Sequence, residues 1–219
     1  MTEAAWAMAE DPSRRIGRTI EFHAEIGSTN DRAREALAAG IGDGLVVVAD
    51  LQTAGRGRRG RTWTSPTGVN LMLSAGLRPR LAPADAGLLG IVAALAVRDA
   101  CAALAPGADL RVRWPNDVVT ADGRKVAGLL VETALEDGRL SEAIIGSGIN
   151  VNWPRAAMPD EVRERATSLL DLLGRPVDRV ALLSAVLDRL DAGIAALERG
   201  DSPVSQLAAV SALDGRQVT

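Results

Sequence analysis

Between residues 110 and 151, four strand-like segments follow one another with only short connections. They are residues 110–113, 118–120, 125–135 and 140–151. Asp122-Gly123 and Asp137-Gly138 lie between them, and such pairs favour two-residue hairpin turns because these turns need positive φ. The sequence therefore predicts an antiparallel meander, and any fold for this chain has to contain one.

The rest of the chain alternates strands with helices. Ser28-Thr29-Asn30-Asp31 is a typical helix start and Gly40 a typical helix end, while Pro83 and Pro106-Gly107 bound a long apolar helix that ends at Leu104. The other predicted elements are strands at 18–26, 45–50 and 69–76 and helices at 161–173 and 178–198. With 219 residues and 47% hydrophobic content, the chain can bury its own core. We predict one α/β domain at residues 18–212 after a loose segment at 1–17.

Composition and charge exclude several classes of protein. The net charge is -3 and the isoelectric point is near 5.3, which disfavours a general nucleic-acid coat with a broad basic face. No signal peptide is visible, and no apolar stretch reaches the roughly 18 residues that span a bilayer. We therefore expect a cytoplasmic protein that binds neither nucleic acid nor membrane.

The chain has one cysteine and one histidine. Cys101 cannot form a disulfide within the chain, and its position in the long apolar helix predicts a small buried hydrophobe. Any Ser-His-Asp triad would have to use His23. A zinc site with several His or Cys ligands is excluded.

A basic, glycine-rich segment follows the strand predicted at 45–50. This segment, Gly55-Arg56-Gly57-Arg58-Arg59-Gly60-Arg61, is called the basic loop below and holds four arginines and three glycines. Glycines let backbone N–H groups approach an anion, and guanidinium groups bind phosphate or carboxylate oxygens in pairs. The basic loop is therefore the part of the chain that best suits a phosphate.

Three interpretations of the basic loop compete. Gly55-x-Gly57-x-x-Gly60 matches a dinucleotide fingerprint, and Gly55-x4-Gly60-Arg61-Thr62 is a P-loop with arginine in place of lysine. Both motifs need a helix directly after them, whereas residues 69–76 have the composition of a strand. A flexible lid that joins two strands and covers a nucleotide phosphate fits better. A solvated basic loop without a ligand is the alternative.

Polar residues also gather at the start of the meander. Trp114-Pro115-Asn116-Asp117 places an amide and a carboxylate at a strand end, although Asn and Asp are also common in simple turns. Lys125 begins a buried strand, and alternation would point it to the same face as Ala127 and Leu129, close to that end. A lysine in this position also commonly snorkels or closes a hairpin.

The strand predicted at 140–151 contains the segment Gly146-Ser147-Gly148. Glycines weaken a strand because they have no side chain to pack. Their presence indicates that a ligand or another part of the backbone approaches closely at this point.

Five segments, in this order, resemble the signature blocks of biotin–protein ligases. They are Ser28-Thr29-Asn30, residues 52–61, Trp114-Pro115-Asn116-Asp117, residues 125–132 and Gly148-Ile149-Asn150. The resemblance covers residues 20–155. It implies the biotin–lipoate ligase fold, which is related to the class II aminoacyl-tRNA synthetases. That fold is α/β (α+β), with a mixed, largely antiparallel sheet flanked by helices and an active site on the exposed face of the sheet.

The resemblance also implies an activity. These ligases join biotin to ATP as biotinyl-5′-adenylate and then transfer biotin to one lysine of a biotin carboxyl carrier domain of an acyl-CoA carboxylase. Mg²⁺ would accompany ATP, although no metal ligands can be named. Lys125 and Arg58 would be catalytic, since positive groups have to neutralise the biotin carboxylate and the α-phosphate. Asp117 is our candidate for helping to deprotonate the acceptor lysine.

Two groups of binding residues follow from the same resemblance. Biotin would contact Ser28, Thr29, Asn30, Gln52, Gly55, Arg56, Gly57, Arg58, Lys125, Gly128, Leu130 and Gly146. ATP and the adenylate would contact Arg56, Arg58, Arg61, Trp63, Asn116, Lys125 and Asn150.

The sequence departs from the family at both ends. Members that repress transcription carry an N-terminal helix-turn-helix domain, and residues 1–17 are too few for one. The family also ends in a small β-barrel domain. Residues 213–219 look like the first strand of that domain, so we expect the rest of it to be missing here.

Two other functions remain open. A lipoate or octanoate ligase or transferase shares the fold, and a non-catalytic adenylate sensor would use ligand binding only to order the basic loop. An exposed sheet edge would also allow a homodimer.

Overall fold

The computed structural model describes residues 1–213, and within them seven strands form one sheet in the order β1-β2-β3-β7-β6-β5-β4. The strands are β1 (Ile20–His23), β2 (Val46–Ala49), β3 (Leu71–Leu77), β4 (Leu110–Arg113), β5 (Asp117–Thr120), β6 (Lys125–Glu136) and β7 (Arg139–Ile149). The strand predicted at 213–219 falls outside the described residues, except for Leu213.

The sheet is mixed and largely antiparallel, as predicted. Strands β1 and β2 are parallel, and the other neighbouring pairs are antiparallel. The predicted meander is confirmed as β4-β5-β6-β7. Its last turn uses Asp137 and Gly138, with φ of 49° and 74°, as a hairpin of this kind requires. The long β6-β7 pair lies in the middle of the sheet.

Helices cover the two faces of the sheet unequally. They are α1 (Glu3–Ala7), α2 (Thr29–Ala38), α3 (Leu88–Leu104), α4 (Asp160–Arg163), α5 (Leu169–Leu173), α6 (Arg179–Glu198) and α7 (Val204–Ala209). Val46 and Val48 of β2 join the main core with α3 and α6, whereas Val47 joins a second cluster with α2. Since successive side chains of a strand point to opposite faces, α2 lies across the sheet from α3 and α6. Because α2 is short, part of the sheet face on its side is not covered by this helix.

The long helix α3 is the central helix of the core. It packs against α6 and against β4, β5, β6 and β7. An 18-residue window within Pro83–Leu104 has a mean hydropathy of 1.8, so by length and composition this segment could cross a membrane, and the statement that no apolar stretch reaches that length is wrong. Ten α3 residues are buried inside the protein, which accounts for their apolar character. The helix itself starts later than predicted, because Pro83–Asp85 forms a separate 3-10 turn.

The segment predicted as one helix at 161–173 is two short helices. After α4 the chain turns at Glu164 and Arg165, and Ala166 then forms a parallel bridge with Lys125. Ser168 then caps α5, its Oγ accepting a hydrogen bond from Asp171 N at 3.3 Å. The prediction was wrong because pairing with the edge of β6 and this cap together outweigh the helical pattern. Helix α6 is confirmed, with Asp178 as its N-cap.

The N-terminal segment is not loose. Trp6 is fully buried, and its ring stacks on Phe22 with the centroids 6.1 Å apart. The Arg179 guanidinium carbon lies 5.2 Å from the centroid of the Trp6 ring. Ala9 and Ile16 are buried in the same core. The expectation for residues 1–17 failed because Trp6, Ala9 and Ile16 anchor this short segment in the core.

We expect Trp6→Ala to lower the free energy of unfolding by about 3–5 kcal/mol, because it leaves a large cavity between α1, β1 and α6. Met8→Ala is the matched control, since Met8 is 82% exposed just after α1, and it should change stability by less than about 0.5 kcal/mol. Urea unfolding followed by circular dichroism would measure both. Equal stability of the two variants would show that the segment does not contribute to the core.

Candidate active site

Two glycines form a bare floor on the open face of the sheet. Gly128 of β6 and Gly148 of β7 lie opposite each other in the antiparallel register. The Trp63 indole rests on both, because a Cβ on Gly148 would lie 2.5 Å from Trp63 Cε2 and a Cβ on Gly128 would lie 3.0 Å from Trp63 Cζ3. A side chain at either glycine would displace the indole. The missing side chains therefore create a cleft.

The cleft has a volume of about 310 Å³, at the lower end of the range for small-molecule sites. Of the predicted site residues, those that line it are Ser28, Thr29, Asn30, Gln52, Arg56, Gly57, Arg58, Arg61, Trp63, Asn116, Asp117, Lys125, Gly128, Leu130, Gly146 and Asn150. Gly55 lies behind the wall, where it is buried and where a Cβ would come within 2.5 Å of Trp63 O. Segments far apart in sequence therefore meet at one place.

Lys125 lies over the glycine floor and is held by a carboxylate. Its Nζ is 2.7 Å from Asp117 Oδ1, and the second carboxylate oxygen lies 2.9 Å from an Arg113 nitrogen. Burial raises the pKa of the Asp117 carboxyl, but the charges and hydrogen bonds of Lys125 and Arg113 outweigh burial and lower the pKa below its ordinary value. Asp117 is therefore a carboxylate that fixes the ammonium of Lys125.

A β-bulge decides which way Lys125 points. Val118 pairs with Ala127 and Val119 with Lys125, so Val126 is an extra residue in β6. The bulge reverses the alternation. Ala127 and Leu129 belong to the main core, whereas Lys125 Nζ lies 2.5 Å from the Cβ position of Gly128 in the cleft. The expectation that Lys125 shares a face with Ala127 and Leu129 was wrong for this reason.

One end of the cleft is closed by buried polar side chains. The Thr29 backbone N–H donates to Gln52 Oε1 at 2.8 Å, and the Thr29 hydroxyl lies 3.0 Å from the same oxygen. Ser74 Oγ lies 2.7 Å from Thr29 Oγ1 and 2.6 Å from Asn30 Oδ1. The Ser28 hydroxyl makes no capping bond to α2. A parallel bridge between Ile26 and Gln52 brings the two segments together.

Gly146 allows Asn30 to enter the sheet face. A Cβ on Gly146 would come within 2.1 Å of Asn30 Oδ1, so a larger residue cannot occupy this position without moving the amide. Asn30 itself is 5% exposed. The glycine therefore makes room for a protein amide, in addition to lining the cleft.

The basic loop crosses the mouth of the cleft. It connects β2 to β3, as predicted, and closes on itself through a bridge between Arg56 and Thr62. Arg56 forms ion pairs with Asp31 Oδ1 at 2.6 Å and Glu132 Oε2 at 3.1 Å. On the other side, an Arg58 nitrogen lies 3.4 Å from Asn116 Oδ1. The loop is thus attached to both sides of the cleft.

The structure also tests the dinucleotide and P-loop interpretations of the basic loop. In the described part of the chain no α-helix begins at this loop; Arg58–Gly60 forms a 3-10 turn, with φ of 57° at Arg59 and 72° at Gly60. The dinucleotide and P-loop interpretations both need a helix N-terminus at this point and are excluded. The interpretation that remains is that the basic loop covers the cleft.

Several residues around the site were not found from the sequence. Arg113 could have been found, because it lies opposite Asp117 across the β4-β5 hairpin. Ser74 carried no motif that marks it, and Glu132 ends the block at residues 125–132 but was given no role from it. Four further residues line the cleft and were not predicted as site residues, namely Trp153, Glu161, Val162 and Arg165.

The single histidine and cysteine lie outside the cleft. His23 Nε2 is 2.5 Å from Glu21 Oε1 on β1. Cys101 is buried in α3, and burial raises the pKa of its thiol to about 12, so it is the inert hydrophobe that the sequence predicted. Neither residue can act as a nucleophile or base in this cleft.

Comparison with known proteins identifies relatives with the same fold. Residues 24–150 match the model of the biotin/lipoate A/B protein ligase family. The chain is 42% identical over 182 residues to the biotin–[acetyl-CoA-carboxylase] ligase of Mycobacterium tuberculosis, which covers 81% of this chain and 64% of that protein. It is 37% identical over 172 residues to the bifunctional ligase/repressor BirA of Bacillus subtilis, covering 78% and 52%.

Solved structures agree. The biotin protein ligase from Aquifex aeolicus in complex with biotin and ATP superimposes with a TM-score of 0.75 at 30% identity, covering 89% of this chain and 78% of that one. The ligase from Leishmania major in complex with biotinyl-5-AMP gives a TM-score of 0.74 at 26% identity. The chain spans about half to two thirds of the length of the two curated relatives above.

The family model covers more than half of the chain and the same fold recurs in the solved structures, which confirms the resemblance seen in the five sequence blocks. This chain belongs to the biotin/lipoate A/B protein ligase family.

Proposed function

We propose that this chain is an ATP-dependent biotin–protein ligase that forms biotinyl-5′-adenylate and then transfers biotin to a lysine of a biotin carboxyl carrier domain. The observation that carries the proposal is the position of Lys125. Its ammonium pairs with Asp117 in the cleft that the polar side chains and the basic loop also line, where a carboxylate and a phosphate would meet.

In the first step the biotin carboxylate attacks the α-phosphorus of ATP, and pyrophosphate leaves. Two anions have to approach each other, so positive groups close to both are the main catalytic requirement. Lys125, Arg56 and Arg58 all face the cleft and can supply this charge. Asp117 positions Lys125 without removing its proton, because a carboxylate with a lowered pKa stays ionised beside the ammonium.

The closed polar end suits the ureido ring of biotin. Thr29 N–H fixes Gln52 Oε1, so the Gln52 NH₂ group is left to donate to a ligand carbonyl. The Ser28 hydroxyl does not cap α2, so it can also form a hydrogen bond with a ligand. A neutral group that both donates and accepts hydrogen bonds fits this lining better than a charged one. Leu130 and Gly128 leave an apolar channel from there towards Lys125.

The other end of the cleft suits the nucleotide. Trp63 offers an aromatic face, and its Nε1 is buried without a hydrogen-bond partner among the described residues. Asn116 and Asn150 line the wall beside it, and Arg61 is exposed on the loop above. An adenosine would stack on the indole and find amide groups within reach.

Transfer to the carrier lysine needs a group that accepts its proton. Asp117 was our candidate, and its position next to Lys125 keeps it within the site. Its lowered pKa makes it a weak base, so we assign it first to positioning Lys125 and keep the base role as a prediction. The carrier domain itself is proposed from the names of the relatives.

The described residues contain no group of three or more His, Cys, Asp or Glu that could hold a metal ion. The donor set therefore does not form a protein-built Mg²⁺ site, and we derive no step through a metal. Mg²⁺ usually reaches such sites with nucleotide phosphates as its main ligands.

The direct test is formation of labelled biotinyl-adenylate from biotin and α-labelled MgATP, followed by addition of a carrier domain. Adenylate that forms and then disappears as the carrier is labelled supports both half-reactions. Biotin binding without adenylate would favour the sensor alternative. Adenylate formed from lipoate or octanoate in preference to biotin would favour the other branch of the family.

We expect Lys125→Ala to reduce adenylate formation by at least about 100-fold, because the charge nearest to both reacting anions is lost. Arg124→Ala is the matched control, since Arg124 is the neighbouring cation but pairs with Asp122 in the hairpin turn, away from the cleft. Single-turnover assays with circular dichroism as a folding check would measure both. Similar rates for the two variants would remove Lys125 from the mechanism.

Asp117 predicts a dependence of stability on pH. Its folded pKa is lowered, so the stability from its ionised form is fully present above the unfolded pKa and is lost as pH falls through the folded value. Asp117→Asn should therefore be less stable than the unsubstituted chain near neutral pH, and this difference should shrink below about pH 4.

Urea unfolding between pH 7 and pH 3 would measure that difference. Asp201→Asn is the control, because Asp201 forms only an exposed contact of 3.6 Å with Arg199 and should change stability little at any pH. A stability difference for Asp117→Asn that does not vary with pH would contradict the role of its charge.

A further inference from the structure

Glu132 lies where the polar end of the cleft meets the basic loop. It is on β6, is half-buried, and contacts three other side chains that come from two other segments. Asn30 Nδ2 donates to Glu132 Oε2 at 2.7 Å. Arg34 lies 2.9 Å from the same oxygen, and Arg56 lies 3.1 Å from each of the two carboxylate oxygens.

The first consequence concerns the direction of the Asn30 amide. An ionised carboxylate only accepts hydrogen bonds, so Asn30 has to present its NH₂ group to Glu132. The Asn30 oxygen then faces Ser74, which lies 2.6 Å away. Leu130 O accepts a longer bond from the same Nδ2 at 3.4 Å, so Glu132 makes the shorter of the two contacts that set the polarity of the network from Ser74 to Thr29 and Gln52.

The second consequence concerns the basic loop. Arg34 and Arg56 share the two carboxylates of Asp31 and Glu132, so two positive and two negative charges balance in one cluster. Without Glu132, two guanidinium groups would face each other with one carboxylate between them. Arg58, Arg59 and Arg61 would add further repulsion within the loop.

The contact on the opposite side of the loop is weaker. Arg58 reaches Asn116 at 3.4 Å, a long bond to a neutral amide, whereas Arg56 makes charge-assisted contacts of 2.6 Å and 3.1 Å. A single exposed ion pair contributes little to stability, but this cluster is a network and Glu132 is one of its less exposed members. Burial raises the pKa of the Glu132 carboxyl, while Asn30, Arg34 and Arg56 outweigh burial and lower it, so the group is charged at neutral pH.

We propose that Glu132 is a positioning residue that acts on both substrates of the proposed reaction: it orients the Asn30 amide at the biotin end and holds Arg56, and with it the basic loop, over the cleft. The inference rests on the proposed function for the identity of the ligand. The attachment of the loop can be tested without it.

Glu132→Gln is the informative variant. Glutamine can keep its oxygen towards Asn30 and Arg34, which contact the same carboxylate oxygen, but its NH₂ group then replaces the oxygen that accepts from Arg56 at 3.1 Å. The opposite orientation places two donors against each other at Asn30. Glu142→Gln is the matched control: it makes the same change of charge on the neighbouring strand β7, beside Arg78 at 3.6 Å and away from the loop. Asp31→Asn weakens the contacts of Asp31 with Arg56 in the loop and with Arg34 on α2 but leaves the bond between Asn30 and Glu132, and it serves if Glu132→Gln does not fold.

Two measurements on the ligand-free chain test the inference. Limited trypsin digestion, with mass spectrometry of the fragments, should show cleavage within residues 56–61 about fivefold to tenfold faster in Glu132→Gln than in Glu142→Gln, and about twofold faster in Asp31→Asn. Calorimetry should show biotin dissociation constants raised about tenfold in Glu132→Gln and unchanged in Glu142→Gln. The midpoint of urea unfolding should be similar in both glutamine variants, which separates positioning from global stability.

Loop cleavage and biotin affinity that are the same in Glu132→Gln and Glu142→Gln would overturn the inference. So would faster cleavage that matches a loss of global stability. If the unsubstituted chain binds no biotin, the proposed function fails, and the cleavage comparison still decides whether Glu132 holds the loop.

Discussion

The antiparallel register of β6 and β7 determines where chemistry can occur in this protein. It places Gly128 opposite Gly148 and so leaves a floor without side chains in the middle of the sheet. Because α3 and α6 cover the other face, this floor is open only on the side of α2. The Trp63 indole, the Lys125 ammonium and the basic loop all use this floor. A shift of one residue in the register would separate the two glycines and close the cleft.

Charge in the cleft is balanced by the protein itself. Lys125 is paired with Asp117, and Arg56 is paired with Asp31 and Glu132. In the proposed reaction, anionic substrates would meet cations that carboxylates already orient. Such preorganisation would reduce the reorganisation that is needed when charge develops on the phosphate.

Local sequence patterns predicted most of the fold and much of the site. Asp-Gly turns located the meander, a capping signature located the start of α2, and apolar residues at helical spacing located α6, because these signals are local in sequence. Residues whose position depends on distant partners were either not predicted as site residues or were predicted with the wrong direction or secondary structure. The β-bulge at Val126 reversed the direction of Lys125, and the pairing of Ala166 with Lys125 broke a predicted helix. Glu132 ends the sequence block at residues 125–132, but its role could not be predicted from that block because its three partners come from α2 and the basic loop.

The polar end of the cleft and the basic loop above it are held by different kinds of interaction. Thr29, Asn30 and Ser74 are buried and joined by short hydrogen bonds between neutral groups, which salt does not screen. Arg56 is held by ion pairs at a surface that is about 40% exposed, and such pairs weaken as ionic strength rises. The polar end should therefore keep its shape at salt concentrations that weaken the attachment of the loop. Glu132 contacts Asn30 at the polar end and Arg56 in the basic loop, so in our proposal its charge links these two parts of the site.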